Sequence, residues 1–102
     1  MNTDKQTLAL MQQIDSSADF WQDLRDQKRP TIGFNGQKIP RCLYRLAIAR
    51  RDVERYVQSG DKPFRGWRIS LESEYFGIDG GKQKVLDALD VMYDRFLGEI
   101  EN

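Results

Sequence analysis

The 102-residue chain has no histidine, one cysteine, three prolines and no surplus of either charge. Without histidine it lacks the usual general base near neutral pH and the commonest metal ligand. Cys42 alone can form neither an internal disulfide nor a zinc site. No run reaches the roughly 18 apolar residues that a membrane span requires. The opening "MNTDKQTLALMQQ" lacks the charged-then-apolar layout of a secretory leader. These absences point away from an enzyme, a cofactor, a metal and a membrane, and towards the reducing cytoplasm. What remains is a chain 39% apolar and 31% charged, the size of one domain with one modest core.

Its neutrality conceals a segregation. Residues 28–68 carry eleven basic and three acidic residues, a net of +8, while residues 1–27 and 69–102 are net −3 and −5. A basic segment of this kind attracts polyanions at short range, since surface charges are screened beyond about 8 Å at cellular salt. The alternative is a solvated basic face that the acidic flanks partly neutralise.

Periodicity divides the chain into elements. Leu8, Met11 and Ile14 form the stripe of a first helix, capped by Thr3 or Asp4. Ser16 and Asp19 stand three apart, as in a capping box, and predict a second helix from about Ser17 with Ala18, Trp21 and Leu24 on its apolar face. The two helices and one kinked helix fit this pattern equally. Asn35-Gly36 predicts a hairpin joining Thr31–Phe34 to Gln37–Ile39, with Pro40 opening the next helix. Residues 41–59 read as helical, stopped by Gly60. Ile48 falls off the face set by Leu43, Leu46 and Val53, so a break near Ala47–Ala49 is expected, with one bent helix as the rival. Beyond Gly60, "GWRISL" and "SEYFGI" read as strands around a Glu72–Glu74 turn. A last acidic helix presents Val85, Leu86, Leu89, Met92, Phe96 and Ile100 on one face. Trp21, Trp67 and Cys42 are expected in the core.

Two helices, a short turn and arginines on the second are the parts of a helix-turn-helix. Leu46-Ala47-Ile48-Ala49 occupies the turn, Val53 follows Ile48 by five, and Tyr56-Val57 closes the second helix. Ala47 stands where that pattern has glycine, and Leu43 where it has a small residue. With the Asn-Gly ribbon before it and "SGDKPFRGWRI" after it, the segment 31–69 resembles the NUMOD-type DNA-binding modules of homing endonucleases and phage regulators. A weaker likeness over "GWRISLESEYFGIDGGKQKVLDALDVMYDRFL" is to the strand-reading domains of ethylene-response factors and phage integrases.

The first resemblance implies roles by group chemistry. Arg50, Arg51, Glu54 and Arg55 become candidates for contacting base edges, and Lys38, Arg41, Arg45, Lys62, Arg65 and Arg68 for contacting phosphates. Asp52 and Glu54 can instead pair with Arg51 or Arg55 along the helix. The expected fold is a small single-domain α+β protein over 1–102, mostly helical with short β-ribbons and a helix-turn-helix-like core. Within it lie an acidic helical region at 1–27, the basic module at 28–69, and a strand with an acidic helix at 70–102. The expected function is a small cytoplasmic regulator or accessory protein that binds double-stranded DNA, either dimeric through its last helix or with that helix packed wholly within one chain onto the strands at 66–78 and the amino-terminal helices. A protein-binding adaptor or inhibitor of the kind phages and plasmids encode is the alternative.

Overall fold

Two residues with backbone in the left-handed region, Asn35 (φ 49°) and Gly36 (φ 81°), turn the chain back on itself. They join β1 (Thr31–Phe34) to β2 (Gln37–Pro40), antiparallel with Phe34 opposite Gln37 and Thr31 opposite Pro40. The computed structural model describes the backbone of residues 14–101 and the side chains of residues 14–98. The expected first-helix positions Leu8 and Met11 lie outside the described residues. In chain order the elements are α1 (Asp19–Arg25), β1, β2, α2 (Arg41–Ser59), α3 (Ile69–Phe76) and α4 (Lys82–Glu101). The radius of gyration, 13.5 Å, is that of one domain of about 100 residues.

The helix at α1 starts without the expected capping box. Its N-cap is Ala18, with no side-chain cap. Asp15 organises the preceding turn instead, its carboxylate accepting the Ser17 amide at 2.9 Å and the Ser17 hydroxyl at 2.6 Å. Those bonds hold the exposed Asp15 carboxyl below its usual range. Phe20 and Trp21 are buried, and the Trp21 indole N–H donates to the Phe76 carbonyl at 3.0 Å.

Residues 41–59 form one uninterrupted helix, not two helices and a turn. No residue between Ala47 and Ala49 has positive φ. Ala47, a strong helix former, imposes no need for a turn. Gly60 ends the helix in the left-handed region, its amide donating to the Tyr56 carbonyl. Leu46, Ala49 and Val53 of α2 join Val85, Leu89 and Met92 of α4 in the main core.

The strands expected in 66–78 are also absent. Ile69–Phe76 is a helix containing both Glu72 and Glu74, burying Glu72 and Phe76 on one face. Gly77 closes it with φ 75°, and the Ile78 amide bonds the Ser73 carbonyl. A Cβ at Gly77 would strike the Asp15 carbonyl, so only glycine lets segment 14–15 pair there with 77–78.

Candidate nucleic-acid interface

At 100° per residue, a helix places positions 41, 45, 51 and 55 within an arc of roughly 120°. Arg41, Arg45, Arg51 and Arg55 occupy that arc on α2, and all four are exposed. Tyr44 lies on the same face at 36% exposure. Buried Leu43, Leu46, Ala49 and Val53 occupy the opposite side, so amphipathic patterning of a single helix sorts the arginines outward.

Arg50 is not on this stripe. It lies on nearly the reverse side of the helix, where its Nε donates to Asp90 Oδ1 of α4 at 2.8 Å. Its guanidinium also stacks over Tyr93, 4.6 Å from the ring centre. Arg50 is thus a strap between α2 and α4. Glu54 is likewise off the stripe and accepts from Gln58 Nε2 at 3.4 Å.

The remaining arginines differ in how far they are committed. Arg45 sits 3.3 Å from Glu72 of α3 and covers the Tyr75 ring at 3.7 Å, leaving its side chain half-exposed. Burial raises the Glu72 carboxyl above its usual range, although Arg45 opposes that rise. Burial, reinforced by the hydrogen bond to Asp23, also raises the Tyr75 phenol, which therefore stays protonated and donates. Arg51 has a loose pair with Asp52 at 3.6 Å and is three-quarters exposed. Arg41 and Arg55 have no acidic partner among the described residues.

Further exposed cations follow in the chain beyond α2. Residues 60–66 are exposed throughout, and Lys62, Arg65 and Arg68 have no acidic partner among the described residues. Trp67 anchors this loop from below: it is buried, as expected, with its ring 5.1 Å from Tyr56. Lys38, on β2, is also exposed.

No family model, curated protein or solved structure matches this chain.

Sequence periodicity missed two features of this surface. Phe64, at 59% exposure, stands among the loop cations. Its signal was the Gly60–Gly66 spacing, which leaves "DKPFR" no buried face. Tyr44 was invisible because an aromatic at helical spacing reads first as core. Cys42 is buried, and burial pushes its thiol upward, as for a small hydrophobe. Among the described residues no three His, Cys, Asp or Glu side chains group to hold a metal, and no helix is long and apolar enough to cross a membrane.

Proposed function

We propose that this protein is a small cytoplasmic DNA-binding regulator or accessory protein that lays the exposed face of α2 and the 60–68 loop against double-stranded DNA. The alignment of Arg41, Arg45, Arg51 and Arg55 along one exposed face of an unbroken helix supports this reading most. A 19-residue helix is about 28 Å long, and the major groove is about 12 Å wide, enough to admit it lengthwise. Arg51 and Arg55 are the base-edge candidates retained here. Lys38, Arg41, Lys62, Arg65 and Arg68 contact phosphates, and Arg45 shares its charge with Glu72. Fluorescence anisotropy with duplex DNA tests the proposal. About five phosphate contacts give a log–log salt slope near −4.5. Absent binding at about 50 mM salt, or a flat slope, rejects it.

One observation favours the alternative of a protein-binding adaptor: Phe64 is the most exposed large hydrophobic residue described. Such a side chain suits the centre of a protein contact. A pull-down with and without nuclease separates the two readings, because a partner held through DNA is lost on digestion.

A further inference from the structure

An open cleft of about 480 Å³ lies where α1, the 26–30 segment, β1 and the start of α2 meet, with Tyr75 of α3 at its wall. Its size is that of a small-molecule site. Three arginines line it, Arg29, Arg41 and Arg45, against two carboxylates, Asp23 and Asp26. Each carboxylate accepts a hydrogen bond from a neutral donor, which orients it but leaves its negative charge in place. Asp23 accepts the Tyr75 hydroxyl at 2.8 Å, and Asp26 accepts the Lys28 amide at 3.0 Å. Arg45 is held by Glu72.

Two of these guanidinium groups lack a carboxylate partner among the described residues. Arg41 is exposed and has no acidic partner among the described residues. Arg29 donates from one terminal nitrogen to the Asp26 carbonyl at 3.0 Å, yet its Nε is sealed from solvent without any acceptor. Folded proteins seldom leave such a donor unmatched, and a donor sealed from solvent is also sealed from a ligand, so any phosphate contact falls to the terminal nitrogens of Arg29. The hairpin brings the pair together, since the Arg41 amide donates to the Pro30 carbonyl at 3.0 Å. Beside them Ile48 and Tyr44, on the face of α2 opposite the core, supply an apolar wall.

We infer that this cleft binds a phosphate monoester that carries an aromatic ring, of about the size of a nucleoside monophosphate, its phosphate bridging Arg29 and Arg41 and its ring resting on the Tyr44–Ile48 wall. A carboxylate is satisfied by one guanidinium fork, whereas a phosphate offers three oxygens and nearly two charges, enough for two forks from different segments. The site shares Arg41, Tyr44 and Arg45 with the α2 face proposed for DNA, but its test is run without DNA and so succeeds or fails separately.

Calorimetric titration of the full chain with AMP, adenosine and inorganic phosphate tests it. AMP should saturate one site, with adenosine and inorganic phosphate each about tenfold weaker or more. Arg29→Gln should weaken AMP about tenfold or more, the usual effect of losing a charge-assisted hydrogen bond. Tyr44→Ala should weaken it several-fold, with only the modest lowering of the melting curve that follows from losing its edge-on contact with Phe34. Arg68→Gln, remote from the cleft, should leave it alone. No saturation by about 10 mM AMP overturns the inference. So does equal loss in Arg29→Gln and Arg68→Gln, which marks diffuse charge attraction, or inorganic phosphate binding as tightly as AMP. Should Arg29→Gln fail to fold, Tyr44→Ala and Arg68→Gln still decide the question.

Discussion

Glu72 is the buried charged residue among those described, and it shows how a single ionisable group shapes stability. Burial raises its carboxyl and Arg45 only partly offsets this, so the folded state holds the proton more tightly than the unfolded chain. For a raised folded-state value, the stabilisation is complete below the ordinary value of 4.5 and is lost as pH rises through the raised one. Glu72→Gln, neutral at every pH, escapes that loss. Its stability relative to the native protein should therefore rise as pH goes from about 4 to about 7, as read by denaturant melts. A difference that instead falls over that range would show that the Arg45 pair outweighs the cost of burial.

The arginines divide on the same physical grounds. Arg50→Ala removes an exposed ion pair and a ring contact, costing about 1 kcal/mol of stability while leaving DNA affinity nearly unchanged. Arg55→Ala should leave stability within about 0.5 kcal/mol and weaken DNA binding. Equal effects of the two on DNA would mean that the exposed stripe is not the contact surface.

At the scale of the element, the unbroken α2 decides how those arginines are displayed. A turn at Ala47–Ala49 would have rotated Arg51 and Arg55 away from Arg41 and Arg45; the continuous helix keeps all four together. Ala47→Gly distinguishes the two geometries. In a helix interior it costs about 1 kcal/mol in urea unfolding. At a left-handed turn residue it would be neutral or stabilising. Ile48 prompted the expectation of a break because it falls off the apolar face. It has a wall of the cleft to line, a use that periodicity within one helix does not reveal. The same limit applies to "ISLESEYF". Its β-branched and aromatic residues favour strands, but burying Glu72 and Phe76 four apart, with Gly77 as a left-handed stop, makes a helix the better solution.

For the whole molecule, the apolar face of α4 was the reason to expect a dimer. Leu86, Leu89, Met92 and Tyr93 are buried within one chain, and Phe96 packs against the Phe20 and Trp21 rings. Ile100 lies outside the described side chains. With the described part of that face covered, sedimentation at tens of micromolar should report an 11.9 kDa monomer. A dimer there would point to the end of α4 or to another surface.

Local signals in the chain settled much of the architecture. Asn35-Gly36 specified the hairpin through the backbone angles those residues tolerate, Gly60 ended α2, and the stripe of α4 announced a core-facing helix. The charge count placed the basic surface in residues 28–68. Only tertiary structure decided which of those charges stay available. Asp90 lies forty residues beyond Arg50, and Glu72 twenty-seven beyond Arg45. Which arginine becomes a strap and which remains free depends on the packing of α2 against α4 and on where α3 sits. The cleft beside Arg29 arises from the same cause, because its walls come from distant segments that meet only when the hairpin, α1 and α2 close around a shared core.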